Sequence, residues 1–334
     1  MQQRRFGTTD MTVSEVGFGC ARLGGVFAGS SKADILYTLR QAFDRGITFY
    51  DTSDMYTQGE SERILGQAFS RDRTRVVITT KVGYCVPAQA NMVSRIKPLL
   101  RPVLRRLRIK RQHVPSAIRG TLRQDFSATY IVSAVERSLL RLQTDYLDLY
   151  QLHSPPPSVL ASGDFVSVME ELKRQGKIRY YGVSCETEGD ALVCLRYPGI
   201  SSIQVALSVL DQGVVDQVLP RAADLGVGVI ARQCFAGGLL ARSPDVATAG
   251  DSQTEQSERQ AILNYHRIAA RWGRSLTEMA LQFVLSTGGV SVVLLGMRTA
   301  EHVAANLRCA TAPPLSNDEL GTLRARPVAP SNRL

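Results

Sequence analysis

Short runs of apolar and β-branched residues alternate along the chain with longer segments in which apolar residues recur every three or four positions. The short runs predict β-strands, and the longer segments predict amphipathic helices. After a first strand that ends near Gly19, strands are predicted at 47–51, 76–81, 146–152, 180–184, 202–206, 227–231 and 290–295. Helices are predicted at 33–43, 61–69, 129–142, 165–175, 187–196 and 214–224, as more than one helix within 259–286, and at 299–307.

Eight strand–helix units are the number that closes a (β/α)8 TIM barrel, so we predict an α/β protein of this fold. Ahead of the first barrel strand, the segment RRFGTTDMTVSEVGFGC alternates around a Thr–Asp turn and predicts a β-hairpin. A barrel of about 250 residues with insertions is an ordinary single unit. Residues 1–334 are therefore predicted to form one domain.

Two predicted loops exceed the usual length of about two to six residues. The loop at 82–128 follows the third barrel strand, and the loop at 233–258 follows the seventh and is rich in Gly, Ser and Thr. Loops of this length in compact domains are usually functional or disordered, and the second is typical of a mobile flap. The tail at 310–334 contains four prolines and is expected to be ordered only where it touches the barrel.

The net charge of +10 arises in the first of these loops, because ten basic residues and no acidic residue lie between positions 85 and 124. Apolar residues there have helical spacing, and Pro98 and Pro102 limit the predicted helix to about 102–111. The insertion is expected beside the active site. Its helix would cover the barrel mouth, or its arginines would meet an anionic substrate or, through 95–111, a membrane surface. Nucleic acid is not an expected partner, because no binding fold accompanies the charge.

The six cysteines include no C-x-x-C pair and do not cluster with the four histidines, so no metal site is predicted. A reduced, cytoplasmic compartment is the expectation for such a chain. A charged leader with an apolar core is not recognisable, and no run of 18 apolar residues occurs. Neither secretion nor a transmembrane segment is therefore expected.

Candidate chemistry begins in the stretch GITFYDTSDMYTQGESERILG, where Asp51 and Tyr56 follow a predicted strand. Lys81 ends the run VVITTK, and His153 ends YLDLYQLH. Because parallel barrel strands present their carboxyl ends at one face, these four side chains are predicted to converge there. Each alone has an ordinary structural interpretation, as a cap, a rim tyrosine, a solvent-facing lysine or a structural histidine. Their four strand-end positions together favour a catalytic function.

With these motifs in this order, including G-E-S-E-R-I-L-G and D-Y-L-D-L-Y-Q-L-H, the chain resembles the aldo-keto reductase superfamily over nearly its whole length. The resemblance implies NADPH-dependent reduction of an aldehyde or ketone to an alcohol, or the reverse oxidation. Tyr56 would donate the proton, and Lys81 would favour the phenolate of a group whose ordinary pKa is near 10. Asp51 would hold Lys81 charged, and His153 would polarise the carbonyl.

A Rossmann dinucleotide site is not predicted, because no G-x-G-x-x-G motif follows a strand. In LLGMRTAEHVAANL, Gly296 would let the backbone approach a phosphate, and Thr299 would begin a helix whose first amides favour anions. Arg298 suits a 2′-phosphate and so favours NADP(H) over NAD, unless it only caps that helix. The resemblance implies cofactor contacts at Gly19, Cys20, Asp51, Ser184, Gln204, Phe235, Gly238, Leu240, Gly296, Arg298, His302 and Asn306.

Within that set, the resemblance assigns Ser184 and Gln204 to the nicotinamide carboxamide and the Phe235 to Leu240 loop to the pyrophosphate. Arg298 and His302 are assigned to the 2′-phosphate, and Asn306 to the adenine. The chain departs from the family pattern at three positions, with Cys185 for Asn, Leu207 for a stacking aromatic and Cys234 for Pro. Leucine lacks the stacking contribution of about 0.5–1.5 kcal/mol, so the nicotinamide is expected to bind more weakly or in another pose.

The expected partner is a small carbonyl compound, anionic or sugar-like. The sequence leaves its identity, the direction of reaction and the oligomeric state open. An alternative function is an NADP(H)-binding regulatory or scaffold protein of the same fold with little turnover.

Overall fold

Eight parallel strands close into a barrel in chain order, with the last strand paired to the first. The computed structural model describes residues 1–24, 30–85, 123–241 and 253–325, with the backbone alone for 253–258. A hairpin of β1 (Gln3–Arg5) and β2 (Thr12–Ser14) precedes the barrel. The barrel strands are β3 (Val16–Gly19), β4 (Phe49–Asp51), β5 (Val77–Val82), β6 (Leu147–His153), β7 (Ile178–Ser184), β8 (Ser202–Ala206), β9 (Gly228–Arg232) and β10 (Val292–Gly296). The predicted fold is confirmed.

Helices cover the outside of the barrel. They are α1 (Lys32–Asp44), α2 (Glu60–Phe69), α3 (Ala128–Leu142), α4 (Pro157–Ser162), α5 (Phe165–Arg174), α6 (Glu188–Cys194), α7 (Val218–Asp224), α8 (Gln253–Arg271), α9 (Leu276–Ser286), α10 (Ala300–Ala310) and α11 (Asn317–Arg324). Within the described ranges, none is both long and apolar enough to cross a membrane.

Two of these helices were not predicted. Helix α4 follows consecutive prolines and has a proline in its first turn, where the missing N–H costs nothing, but six residues are too few for a periodic signal. Helix α11 lies in the proline-containing tail, where Ser316 and Glu319 form a capping box and Leu323 is buried. The tail therefore includes an ordered helix.

The hairpin closes one end of the barrel. Phe6, Met11 and Val13 form an apolar cluster with residues near the amino ends of the barrel strands, including Phe49 and Val292. The rings of Phe6 and Phe49 are stacked with their centroids 6.0 Å apart. Apolar side chains thus fill the amino end of the barrel and leave polar chemistry to the carboxyl end.

The predicted helix at 102–111 lies outside the described residues, but both flanks of its loop are described. Tyr84 and Gln124 form an antiparallel bridge, and Cys85 N–H donates to the Arg123 carbonyl at 2.8 Å. The basic insertion therefore leaves and rejoins the barrel at one place, beside the carboxyl end of β5.

Candidate active site

The structure brings the four predicted catalytic residues together at the carboxyl ends of neighbouring strands. Asp51 ends β4, Lys81 lies next to the end of β5, and His153 ends β6. Tyr56 begins a short 3₁₀ turn before α2. Its ring centroid is 5.2 Å from Lys81 Nζ and 5.7 Å from the centroid of the His153 ring.

The backbone after Tyr56 is in a conformation that L-residues rarely adopt. Thr57 and Gln58 have φ values of 50° and 61°, and Gly59 follows with a φ of 77°. The Thr57 hydroxyl donates to the Leu23 carbonyl at 3.0 Å. Left-handed non-glycine residues cost free energy and tend to cluster at functional sites, where the surrounding structure holds them. This turn fixes Tyr56 against the mouth of the barrel.

Lys81 is completely buried, and its ammonium is surrounded by oxygens. Nζ donates to the two carboxylate oxygens of Asp51 at 2.7 and 2.6 Å and to the Thr52 carbonyl at 3.1 Å. Burial alone would lower the pKa of Lys81, but Asp51 and Tyr56 raise it above its ordinary value. The lysine therefore remains positively charged at neutral pH.

Tyr56 holds its proton at neutral pH. Burial raises the pKa of Tyr56 above its ordinary value, and the opposing effect of Lys81 does not cancel that rise. Lys81 thus lowers the cost of forming a phenolate without ionising the tyrosine in the resting site.

His153 is a neutral imidazole in this environment. Burial, followed by the positive charges of Lys81 and Arg232, lowers the pKa of His153 well below its ordinary value. Its Nδ1 lies 3.2 Å from Ser53 Oγ, and the Tyr84 ring meets its ring edge-on at 4.9 Å between centroids. His153 can therefore act as a hydrogen-bond donor or acceptor rather than as a cation.

Ser184 and Gln204 extend the polar floor of the site. Gln204 Nε2 donates to Asp51 Oδ1 at 3.0 Å, and the Ser184 hydroxyl donates to Gln204 Oε1 at 3.4 Å. Both side chains are buried, and Ser184, at the end of β7, is paired in register with Gln204 in the middle of β8. Their amide and hydroxyl groups are the types that hold a carboxamide.

Arg232 was not predicted at the site. It ends β9, and its NH2 group donates to the Cys185 carbonyl at 2.9 Å and to Glu186 at 3.1 Å. Glu186 also accepts a hydrogen bond from Ser154, the residue after His153. The position of Arg232 at a strand end was a signal available in the sequence. An arginine at a strand end does not by itself indicate a functional site, and its contacts with Cys185 and Glu186 appear only in the structure.

The residues predicted to bind a 2′-phosphate lie at the amino end of α10. Thr299 is the N-cap and accepts the His302 N–H at 3.3 Å, and Arg298 N–H donates to His302 Nδ1 at 3.3 Å. Arg298 and His302 are exposed, and Asn306 is half-buried. A Cβ placed on Gly296 would meet nothing within 4 Å. Open space, a cationic side chain and a helix amino terminus fit a dinucleotide phosphate.

The turn after β9 has similar open space. Gly237 and Gly238 have φ values of 69° and 101°, and a Cβ on either would meet nothing within 4 Å. Phe235 is half-buried beside them, whereas Leu240 is completely buried. Only the backbone of Leu240 could face a pyrophosphate, and its carbonyl already accepts the Thr277 hydroxyl.

Three residues at expected cofactor positions turn their side chains into the core. Leu207 is completely buried, so it offers no exposed face for a nicotinamide ring. The Cys185 thiol lies 3.8 Å from the sulfur of Cys194, and the Cys20 thiol points back toward the Phe18 carbonyl at 3.5 Å. Burial raises the pKa of Cys20 well above its ordinary value. Cys20 and Cys185 could therefore meet a ligand only through their backbones.

Comparison with known proteins relates this chain to one family. The family model described as Aldo/keto reductase family matches residues 15–326. The uncharacterized oxidoreductase YqkF of Bacillus subtilis is 30% identical, with 97% of this chain and 96% of that protein covered. The NADH-specific methylglyoxal reductase of Escherichia coli is 28% identical, with 92% of this chain and 93% of that protein covered.

A solved structure is similar over the full chain. The holo form of aldo-keto reductase AKR11C1 from Bacillus halodurans superposes with a TM-score of 0.80 at 30% identity, with 100% of this chain and 99% of that chain covered.

Proposed function

Because the chain belongs to the aldo/keto reductase family, we propose that it reduces an aldehyde or ketone with NADPH, or catalyses the reverse oxidation, with Tyr56 exchanging the proton. The observation that carries this proposal is the buried Asp51–Lys81 ion pair beneath the Tyr56 ring. A buried, charged lysine beside a protonated tyrosine is an arrangement suited to proton donation.

Reduction requires a hydride at the carbonyl carbon and a proton at its oxygen. A bound nicotinamide cofactor supplies the hydride. The carbonyl oxygen takes the proton of Tyr56 as negative charge develops on it, and the Lys81 ammonium stabilises the resulting phenolate. His153 donates a hydrogen bond to the same oxygen and fixes its approach. Asp51 keeps Lys81 charged and oriented throughout.

The proposed preference for NADPH rests on Arg298. Arg298 is exposed and directly precedes the N-cap of α10, its backbone N–H meets the His302 ring, and a Cβ on nearby Gly296 would find open space. NADPH differs from NADH by a 2′-phosphate, which a guanidinium binds through two parallel hydrogen bonds. One relative is called NADH-specific, so both cofactors belong in the test.

Turnover of the full chain with NADPH and NADH, on methylglyoxal and on aromatic, aliphatic and sugar carbonyls, tests the proposal. Tyr56→Phe is expected to lower kcat/KM by about 10²–10⁴-fold, while the Kd for NADPH stays within about threefold. Tyr84→Phe is the matched control, because this second tyrosine also contacts the His153 ring. Its kcat/KM is expected to fall less than about tenfold.

Two results would overturn the assignment. If Tyr56→Phe turned over substrate as fast as the wild type, Tyr56 would not be the proton donor. NADPH binding without reduction of any carbonyl, or oxidation of any alcohol, would favour the regulatory or scaffold alternative.

A further inference from the structure

The hydroxyl of Ser53 lies between His153 and a buried carboxyl group. Ser53 Oγ is 3.2 Å from His153 Nδ1, 3.2 Å from Asp54 Oδ1 and 3.4 Å from the Lys81 carbonyl. It also accepts the Met55 N–H at 3.3 Å. Ser53 is completely buried, and Asp54 is 5% exposed. One hydroxyl proton therefore serves several neighbouring acceptors.

Counting donors gives two consistent arrangements. An ionised Asp54 can only accept, so Ser53 donates to it and must accept from His153. In that arrangement Nδ1 of His153 carries the proton and Nε2 is bare. A protonated Asp54 donates to Ser53, Ser53 then donates to a bare Nδ1, and the imidazole proton resides on Nε2.

We propose that Ser53 and Asp54 are positioning residues that set the tautomer of His153, and that carbonyl reduction requires the protonated form of Asp54. A carbonyl oxygen has only lone pairs and needs a donor opposite it. Because Nδ1 faces Ser53, the ring edge left for a substrate is Nε2, and it donates only in the second arrangement. The inference rests on the proposed function, in which His153 polarises the carbonyl.

The surroundings of Asp54 place its ionisation in the physiological range. Asp54 interacts electrostatically with Glu62 of α2, Tyr130 and Arg141 of α3, and Tyr150 of β6. Burial and then Glu62 raise the pKa of Asp54 to about 7, against the opposing effects of Arg141, Ser53 and the Met55 N–H. Glu62 itself accepts hydrogen bonds from Thr80 at 2.6 Å and Arg141 at 2.5 Å.

His153 faces the charged groups Lys81 and Arg232 and the rings of Tyr56 and Tyr84. Lys81 and Arg232 are cations, and together with burial they keep the imidazole neutral. Burial raises the pKa of Tyr56, and Asp51 overcomes burial to raise that of Lys81, so both stay protonated. The Tyr84 ring packs against the His153 ring in a T-shaped arrangement. Loss of the Asp54 proton should therefore appear as a change between two neutral tautomers of His153.

Nitrogen NMR of the full chain with labelled histidine tests this directly, because protonated and bare imidazole nitrogens have different shifts. The chain has four histidines, and His153→Gln identifies the signals of His153. The proton of His153 is expected on Nε2 at pH 6 and on Nδ1 at pH 8. A single tautomer across this range would overturn the proposal, whether or not the protein turns over a carbonyl.

Kinetics provide the second readout. The kcat/KM for reduction should fall about tenfold between pH 6 and pH 8, as expected for one ionisation near 7. In Asp54→Asn, the side-chain amide can donate to Ser53 at every pH. The kcat/KM of this variant should therefore stay near the wild-type pH 6 value from pH 6 to pH 8. Ser53→Ala should lower kcat and remove both the pH dependence and the tautomer change.

Ser61→Ala is the matched control, since it also removes a buried hydroxyl, one that pairs with Thr52 and Cys20 instead of His153. It should keep the fall between pH 6 and pH 8. An unchanged pH profile in Ser53→Ala or in Asp54→Asn would also overturn the proposal. If the tautomer of His153 changed with pH but the protein turned over no carbonyl, control of the tautomer by Ser53 and Asp54 would be supported. The proposed enzymatic function would then be wrong.

Discussion

The ammonium of Lys81 touches both carboxylate oxygens of Asp51, at 2.7 and 2.6 Å, in a position where the lysine has no exposed surface. Gln204 supplies one more hydrogen bond to the same carboxylate at 3.0 Å. A buried ion pair is often no more stabilising than apolar residues of similar volume. Its value here lies in keeping a positive charge next to Tyr56.

We expect Asp51→Asn to impair catalysis and stability together. The change leaves an ammonium buried without its counter-charge, at a cost of about 3–5 kcal/mol in the free energy of unfolding, and it lowers the pKa of Lys81. The double variant Asp51→Asn, Lys81→Met removes both charges and should regain stability without regaining turnover. Denaturation midpoints and kcat/KM for wild type, both single variants and the double variant measure this. A double variant less stable than either single variant would contradict the argument.

Arg298→Ala should separate the two cofactors. Only NADPH carries the 2′-phosphate, so its Kd should rise at least about tenfold while the Kd for NADH stays within about twofold. Arg308→Ala is the matched control, because Arg308 is also exposed and lies in the last turn of α10, far from its amino end. Fluorescence titrations of all three proteins provide the measurement. An equal loss for both cofactors would exclude a specific role at the 2′-phosphate.

The barrel could be predicted because each strand carries a local signal. Val77–Val82 and Leu147–His153 are buried along nearly their whole length, and their apolar runs are bounded by loop residues. Because parallel barrel strands end at one face, the positions of Asp51, Lys81 and His153 at predicted strand ends also predicted that they lie at that face. Helix α4 could not be predicted in this way, because six residues are too few to show a helical periodicity.

The finer features of the site depend on contacts between distant residues. Ser53 and His153 are 100 positions apart, and neither neighbouring sequence indicates their hydrogen bond. Arg232 meets the Cys185 carbonyl and Glu186 because β9 and β7 end at the same face of the barrel. Leu207 was expected at the nicotinamide, but its burial follows from packing that the family pattern does not encode.

Asp148 should support the fold without contributing to catalysis. It is 1% exposed, and it accepts hydrogen bonds from Arg179 at 2.7 Å and the Ile78 N–H at 2.9 Å and pairs with Arg73 at 2.7 Å. Asp148→Asn should lower the free energy of unfolding by about 3–5 kcal/mol and leave kcat/KM of the folded protein unchanged. Asp10→Asn is the control, because Asp10 also contacts Arg179 but its side chain is 68% exposed.

Chemical denaturation of the two variants measures that difference. An exposed pair contributes less than about 1 kcal/mol, so Asp10→Asn should be nearly neutral. Equal losses in the two variants would show that burial of Asp148 does not set its contribution.

Asp54 should make the folded protein less stable as pH rises. Its pKa is about 7 in the folded protein, against an ordinary value of 3.8, so between these values the folded state holds a proton that the unfolded state has lost. Stability from this group is fully present below about pH 4 and declines by up to about 1.4 kcal/mol per pH unit until about pH 7.

Asp54→Asn removes the titration, so its stability relative to wild type should increase from pH 5 to pH 8. Denaturation midpoints at each pH test this, with the exposed Asp224→Asn as control, and a pH-independent difference would show that Asp54 ionises alike in both states.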